Sequence, residues 1–169
     1  RVRRLLPLDA SEEVRAVKSR LAESAGIARL LGTHPSFEKV KVQALRAAKS
    51  DLTVLVTGET GTGKELVAHA IHYESDRAPK PFIPVNCGAI PNELFENELF
   101  GHRREAFTDA RSHQPGLIAE AEGGTLFLDE VDTLTPSAQI KLLRFLEDRT
   151  YRSLGASRPV RANVRLVAV

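Results

Sequence analysis

A glycine-rich stretch in the first half of the chain has the residue types and the spacing needed to bind phosphate. It reads Gly58, Glu59, Thr60, Gly61, Thr62, Gly63, Lys64 and fits the Walker A pattern G-x-x-x-x-G-K. Glycines let the backbone wrap closely around phosphate oxygens, with its N–H groups pointing inward. A helix beginning at Lys64 would direct its positive end at the same anion, and the lysine would add a point charge. An ordinary glycine-rich turn is the alternative, which the flanking strand and helix patterns disfavour.

One position departs from the general phosphate-loop pattern. Glu65 stands where serine or threonine would normally coordinate magnesium. A carboxylate at this position could repel phosphate or bind the metal in a different way. Taken alone, the motif therefore predicts phosphate binding and leaves hydrolysis open.

A second group of chemically competent residues is the acidic pair Asp129 and Glu130, which follows the apolar run 125–128. In open α/β sheets, ligands bind at the carboxyl ends of the strands. Asp129 would hold Mg²⁺ there, through water, and Glu130 would polarise a water molecule for attack on the γ-phosphate. An exposed strand end without a catalytic role is the alternative. The phosphate loop about 70 residues upstream, a spacing that suits intervening βα units, argues against it.

Helix and strand patterns alternate around both motifs. The predicted helices are 37–48, 64–72, 92–100, 117–122 and 136–148, and the predicted strands are 52–56, 82–85, 125–128 and 164–169. Pro84 weakens the second strand and suggests an irregular or edge segment. Alternation of this kind predicts an α/β fold, in which a parallel sheet is covered by helices on both faces.

Composition and charge limit the class of protein. The chain is 42% hydrophobic and 27% charged, which is ordinary for a soluble globular domain. Its net charge of +2 is too small to indicate nucleic-acid binding. No apolar run approaches the roughly 18 residues that cross a bilayer, and no secretory signal is visible, so we expect no membrane association. The single cysteine, Cys87, fits a reducing cytoplasm. Because the first residue is arginine rather than methionine, we expect a fragment or a processed chain.

The two motifs and the segments between them resemble the central AAA+ domain of the NtrC-like, sigma-54-dependent transcription activators. The matching segments are 58–65, 81–90, 98–102 and 126–130. In this family the last position of the phosphate loop is usually glutamate, which accounts for Glu65. The resemblance implies a three-layer P-loop fold, incomplete at the C-terminus, with 30–169 as the N-terminal part of the sigma-54 interaction domain. Residues 1–29 are expected to form a linker helix from an upstream domain, although their apolar stripe could also dock on the domain or pair with another copy.

The same resemblance implies ATP and Mg²⁺ as cofactors and assigns roles to individual residues. Lys64, Asn86 and Glu130 would be catalytic, with Asn86 hydrogen-bonding Glu130 and switching it with the nucleotide state. Leu31 and Gly32 would lie near the adenine. The expected nucleotide-binding residues are Leu31, Gly32, Gly58, Glu59, Thr60, Gly61, Thr62, Gly63, Lys64, Glu65 and Asp129, with Asp129 also serving the metal.

The family resemblance also implies partners. The whole protein would be a ring-forming ATPase that remodels RNA polymerase holoenzyme containing sigma-54 and binds DNA through a C-terminal domain. The family's arginine fingers and sensor residues would lie beyond residue 169. We therefore expect this chain by itself to bind ATP weakly and to hydrolyse it hardly at all. A different P-loop enzyme, such as a kinase, fits the Asn86 segment poorly.

The most informative departure from the family lies in one loop, which reads Glu105, Ala106, Phe107, Thr108, Asp109, Ala110. It corresponds to the family's Gly-Ala-Phe-Thr-Gly-Ala loop, which contacts sigma-54. Glu105 and Asp109 replace glycines, whose backbone angles charged residues resist. We expect 106–110 to be exposed and mobile, presenting Phe107. The alternative function is a nucleotide-binding regulator of the same family that no longer contacts sigma-54.

Isolated histidines and the cysteine carry weaker signals. His69 and His72 are three residues apart on a predicted helix, a spacing that can bind metal. No cysteine or carboxylate cluster completes a site near them, so surface or packing roles are expected. Cys87 is expected to be a small buried apolar residue.

Overall fold

The computed structural model describes residues 26–104, 106 and 112–169. Its helices are α1 (Pro35–Ala48), α2 (Lys64–Tyr73), α3 (Asn92–Phe100), α4 (Leu117–Glu120) and α5 (Pro136–Asp148). Its strands are β1 (Val54–Leu55), β2 (Phe82–Asn86), β3 (Thr125–Asp129), β4 (Thr150–Tyr151), β5 (Val160–Arg161) and β6 (Arg165–Ala168). Short 3₁₀ turns are formed by Ile27–Arg29, Cys87–Ala89 and Val131–Thr133. Most of the expected linker helix, residues 1–25, lies outside the described residues.

A parallel four-stranded sheet in the order β1-β6-β3-β2 forms the centre of the described chain. Every residue of β6 is buried, and so are the first four of β3. β2 lies at an edge of this sheet and tolerates Pro84 there, because an edge strand can lack one N–H donor. The predicted parallel α/β architecture is confirmed, and so is the edge position of β2.

Two buried clusters cover the two faces of the sheet, because successive strand side chains point to opposite faces. Phe127 joins residues of α1 and α2 on one face. Leu126 and Leu128, its neighbours in β3, join residues of α3, α4 and α5 on the other. Phe127 and both leucines are almost completely buried. Both layers of helices therefore hold the same central strand, whose carboxyl end carries the acidic pair.

Local signals explain where the helices begin. The side chain of His34 accepts from the N–H of Ser36 ahead of α1, and Pro35 occupies the first turn. Thr135 does the same for α5, accepting from the N–H of Ala138, and proline again follows. The predicted bounds of α3 and α5 match the structure, whereas α1 begins at Pro35 rather than at residue 37.

Two parts of the secondary structure differ from the sequence-based prediction. The strand predicted for 52–56 shrinks to Val54–Leu55, and Leu52 and Leu55 are 71% and 64% exposed rather than buried. Among the described strands, β1 pairs only with β6, which leaves its other edge open. The antiparallel hairpin of β4 and β5 was not predicted, because strands of two residues are too short to show an alternation of apolar and polar residues. None of the described helices is both long and apolar enough to cross a membrane.

Candidate functional site

The phosphate loop connects β1 to α2 at the carboxyl edge of the sheet. Gly61 and Gly63 have φ angles of 80° and 82°, in the left-handed region that favours glycine. Gly63 is the N-cap residue of α2, and no side chain caps this helix. The first-turn N–H groups of α2 are therefore left for another acceptor, which is the usual arrangement of an anion site at a helix N-terminus.

Polar groups of the phosphate loop hydrogen-bond one another. Lys64 Nζ donates to the carbonyl oxygen of Glu59 at 3.1 Å, and Thr62 Oγ1 donates to the same oxygen at 2.7 Å. A β carbon at Gly58 would lie 3.2 Å from Thr62 Oγ1, so glycine at this position leaves space for the Thr62 hydroxyl. The lysine thus rests on a neutral acceptor within its own loop, close to the N-terminus of α2.

Glu65 lies in the first turn of α2, with its side chain 62% exposed. Its Oε1 is 3.6 Å from Nε2 of His69, whose ring lies 4.4 Å from that of Phe82. Burial lowers the pKa of His69, and the charge of Glu65 opposes this shift. Burial therefore disfavours the charged form of the His69 ring, and the Glu65 carboxylate lies at the end of the helix where the dipole favours negative charge.

The acidic pair ends the central strand β3 beside β2. Asp129 stands in register with Asn86 of β2, so the polar ends of two neighbouring strands meet. Glu130 has φ 56° and ψ 43°, a left-handed conformation that is uncommon for glutamate. Its N–H donates to Asp129 Oδ1 at 3.0 Å, and its carbonyl oxygen accepts the hydroxyl of Thr133 at 2.7 Å. These bonds hold the strained residue in place.

The carboxylate of Glu130 extends over the turn that follows β2. A β carbon at Gly88 would collide with Glu130 Oε2 and would lie 3.5 Å from Asn86 Oδ1, so both side chains converge on this glycine. Asn86 Oδ1 accepts the N–H of Ala89 at 2.9 Å and thereby caps the 3₁₀ turn. In the described part of the chain, no hydrogen bond joins Asn86 to Glu130. The Asn86 side chain instead caps the 3₁₀ turn that follows it.

Cys87 begins the 3₁₀ turn that follows β2 and is 4% exposed. Burial raises the pKa of its thiol to about 11, and the charges of Asp129 and Glu130 contribute in the same direction. A thiol with this pKa is protonated at neutral pH and is a poor nucleophile. The expectation of a small buried apolar residue is confirmed.

The segment expected to meet the adenine packs on the helix that follows the phosphate loop. Leu30 belongs to the same buried cluster as Ile71 of α2. Leu31 is 86% exposed, whereas a β carbon at Gly32 would come within 2.9 Å of the ring of Phe37. Gly32 therefore allows a close backbone approach to α1, and the Leu31 side chain is left open to a ligand. The adenine contact itself remains a prediction.

The loop that departs from the family pattern is described only at Ala106. This residue is half-buried, and a β carbon at Gly155 would lie 2.8 Å from its Cβ. The expectation that Ala106 is exposed is therefore wrong, because the connection between β4 and β5 packs against it. The N–H of Arg103 also donates to the Leu154 carbonyl at 2.9 Å, which ties the base of the loop to the same connection. The other residues of the loop lie outside the described residues.

Within the part of the chain that the structure describes, no cluster of three or more His, Cys, Asp or Glu residues could hold a metal ion. His72 is fully buried, with Nδ1 2.9 Å from the hydroxyl of Thr125, which confirms its packing role. The metal role expected for Asp129 stays a prediction; Mg²⁺ is commonly held by one or two carboxylates together with substrate phosphates.

Comparison with curated proteins gives related regulators over most of this chain. The Nif-specific regulatory protein of Azotobacter vinelandii is 50% identical over 139 residues, covering 82% of this chain and 27% of that protein. The transcriptional regulatory protein GlrR of Escherichia coli K12 is 44% identical over 168 residues, covering 96% of this chain and 38% of that protein. The chain thus spans between about a quarter and two fifths of the length of these relatives.

Solved structures of NtrX from Brucella abortus share the fold. The complex with ADP has a TM-score of 0.76 and 35% sequence identity, covering 94% of this chain and 35% of that one. The complex with ATP also has a TM-score of 0.76, with 32% identity, covering 96% of this chain and 39% of that one. Residues 30–169 match the family model described as the Sigma-54 interaction domain. The chain therefore belongs to the sigma-54 interaction domain family, and its parallel sheet has the P-loop AAA+ fold.

Proposed function

We propose that this chain is the nucleotide-binding part of an ATP-hydrolysing domain that drives the rearrangement of RNA polymerase holoenzyme containing sigma-54. One observation carries the proposal. The phosphate loop and the Asp129–Glu130 pair lie at the carboxyl edge of one parallel sheet, in a chain of the sigma-54 interaction domain family. Ligands bind at this edge in open α/β sheets.

The loop residues would hold the phosphates of ATP. Backbone N–H groups from Gly58 to Gly63 and the N-terminus of α2 would donate to phosphate oxygens. Lys64 Nζ, which now rests on the Glu59 carbonyl, would exchange this neutral acceptor for the β- and γ-phosphates. The exchange is favourable because hydrogen bonds between charged groups are stronger than those to a neutral carbonyl. The ADP and ATP complexes of NtrX support this ligand class.

Asp129 would hold Mg²⁺ together with the phosphates. Its Oδ1 accepts the N–H of Glu130, and its Oδ2 has no hydrogen bond to any described residue, so the donor set suits a hard cation. When bound, the ion would offset the charge that develops on the transferred phosphoryl group.

Glu130 would polarise the attacking water, but its present position does not favour this. Gly88 follows β2, whereas the phosphate loop follows β1 on the other side of β3. The carboxylate therefore leans away from the loop and must rotate toward it to act. Asn86, whose side chain converges on the same glycine, is well placed to steer that rotation.

Other features of the whole protein follow as proposals from the family. A neighbouring subunit in a ring would supply the arginine that completes each site, which can contribute about 10³–10⁵ in rate. A separate domain would bind DNA, and the protein would work in the cytoplasm.

One sequence feature favours a second candidate function. Glu105 and Asp109 replace two glycines in the loop that corresponds to the family's sigma-54 contact. Burying a carboxylate against a partner is costly unless a cation meets it. The second candidate is therefore a regulator that binds nucleotide but no longer contacts sigma-54 through this loop.

Calorimetric titration with ATP and ADP tests nucleotide binding in this chain. Lys64→Ala should weaken affinity about tenfold or more, since hydrogen bonds to charged groups contribute about 1.5–3 kcal/mol. Lys49→Ala removes an exposed lysine at the end of α1 and is the matched control. Equal affinity in the unmodified chain and in Lys64→Ala would refute the assignment of the loop.

Binding of purified sigma-54 separates the two candidate functions. Fluorescence anisotropy would compare the unmodified chain with the double variant Glu105→Gly, Asp109→Gly in the presence of nucleotide. Loss of contact through the loop predicts tighter binding by the double variant. Equal and measurable binding by both forms would support the polymerase-remodelling function and reject the second candidate.

A further inference from the structure

A cavity of about 410 Å³ opens at the amino edge of the sheet, away from the phosphate loop. The segments that lead into β1, β2, β3 and β6 meet there. Its charged lining residues are Arg77, Arg149, Arg161, Asp51 and Glu122. None of these side chains belongs to the proposed nucleotide site.

The two acids of the cavity already have partners. Asp51 Oδ1 accepts from Arg77 Nε at 2.8 Å, and this hydrogen bond lowers the pKa of Asp51. Both carboxylate oxygens of Glu122 lie 3.2 Å from the backbone nitrogen of Asn163 and accept its N–H. Arg77 is also occupied, since it donates to the carbonyl of Gly124 and to Asn163.

The other two arginines keep most of their donors. The side chain of Arg149 gives one hydrogen bond to the described residues, from Nη1 to the Val164 carbonyl at 3.1 Å. Arg161 is exposed, and its side chain makes no hydrogen bond or ion pair with any described residue. Each guanidinium carries five N–H donors in a fixed fork that matches phosphate and carboxylate oxygens.

A fourth arginine lies behind the cavity wall. Arg165 is 1% exposed and donates from Nη2 to the Ala47 carbonyl at 2.7 Å, but its buried Nε and Nη1 have no partner among the described residues. Its charge acts on Asp51 and Arg77, both of which line the cavity. The charged residues that line the cavity, together with Arg165, are therefore four arginines and two acids.

We propose that this cavity binds an oxyanion between Arg149 and Arg161, either a free phosphate ion or the phosphate group of a small ester. The charge excess supplies attraction, and the spare donors supply bidentate hydrogen bonds. Its volume falls within the usual range of small-molecule pockets and leaves room for an organic group beside the phosphate. The site is separate from the nucleotide site and does not depend on the proposed ATPase activity.

The test uses this chain with Lys64→Ala, which weakens phosphate binding at the nucleotide loop. Inorganic phosphate and ribose 5-phosphate are titrated separately at constant ionic strength, with chloride as the reference anion, and backbone amide NMR shifts are followed. We expect saturable shifts at residues 149 and 161–164. Arg149→Gln and Arg161→Gln, added singly, should each raise the dissociation constant about tenfold. Arg158→Gln changes an exposed arginine of the same hairpin outside the cavity and should leave it unchanged.

The outcomes are distinct. Saturation by both probes supports a site for the phosphate group itself, and saturation by ribose 5-phosphate alone supports a site for an ester. Absence of binding in the Lys64→Ala background overturns the proposal and leaves the nucleotide proposal intact. Unchanged affinity in Arg161→Gln also overturns it. This variant is the decisive one if Arg149→Gln fails to fold, because Arg161 is exposed.

Discussion

The carboxylate of Glu130 lies directly over the α-carbon of Gly88, in the space that any side chain at position 88 would occupy. Glu130 directly follows the central strand β3, and Gly88 belongs to the turn after the neighbouring strand β2. The contact therefore joins the proposed catalytic carboxylate to the edge strand rather than to the phosphate loop. Because the obstacle is the end of a flexible side chain, it can move without disturbing the backbone.

Two glycine substitutions should show that a new methyl group costs less stability when it meets a flexible side chain than when it meets the backbone. In Gly88→Ala, the new methyl group displaces only the Glu130 carboxylate, so we expect a loss of less than about 1 kcal/mol in the free energy of unfolding. In Gly124→Ala, the same methyl group would meet the backbone carbonyl of Pro81. That clash should cost at least about 2 kcal/mol. Urea denaturation of both variants makes the comparison, and similar losses would contradict it.

The buried thiol of Cys87 should report the charge of Glu130. Its pKa is raised to about 11 by burial first and then by Asp129 and Glu130, because negative charge nearby disfavours the thiolate. Glu130→Gln removes one of these charges and should lower the pKa of Cys87, which can be followed by NMR of its β carbon. Asp132→Asn, a nearby change that leaves both charges in place, should have a much smaller effect. An unchanged titration in Glu130→Gln would show that the carboxylate does not act on the thiol.

The fold could be predicted from the sequence where local signals and tertiary packing agree. α5 was predicted with its observed bounds, because a proline opens it and an apolar stripe continues to its end. The strand at 52–56 was predicted too long, since apolar residues such as Leu52 do not reveal that an edge of the sheet is open. The predicted strand 164–169 contains Arg165, but the full burial of this side chain depends on the Ala47 carbonyl near the end of α1, far away in the sequence.

The sequence predicts the two motifs of the candidate site but not the contacts between them. The phosphate loop and the acidic pair are continuous motifs, so residue types and spacing are sufficient to find them. The convergence of Glu130 on Gly88 arises from contact between two strands and has no signal in the sequence. The same holds for the amino-edge cavity, whose arginines come from three separate segments.

Arg165 offers a test of whether its buried charge stabilises the protein. Burial lowers its pKa, and two of its nitrogen atoms have no partner among the described residues. Arg165→Met keeps most of the packing and removes the desolvated charge, so we expect its free energy of unfolding to stay within about 1 kcal/mol of the unmodified chain. Arg165→Ala loses the packing as well and should cost about 2–5 kcal/mol. Equal losses in both variants would show that the charge itself, rather than the volume, is needed.

His72 should make the protein sensitive to acid. Burial and the charge of His69 lower its pKa from 6.5 to about 4. A folded pKa below the unfolded value means that the unfolded chain takes up the proton first as the pH falls. The stabilisation is therefore present above pH 6.5 and is lost as the pH falls through 4, by roughly 3 kcal/mol in total.

The measurement is the free energy of unfolding of the unmodified chain and of His72→Gln at a series of pH values between 7 and 4. Carboxylates titrate in both proteins, so only the difference between the two curves reports on His72. Glutamine can still hydrogen-bond the hydroxyl of Thr125 but takes up no proton. The free energy of unfolding of His72→Gln should therefore rise relative to that of the unmodified chain as the pH falls. If the curve of His72→Gln runs parallel to that of the unmodified chain, protonation of His72 is not what destabilises the fold in acid.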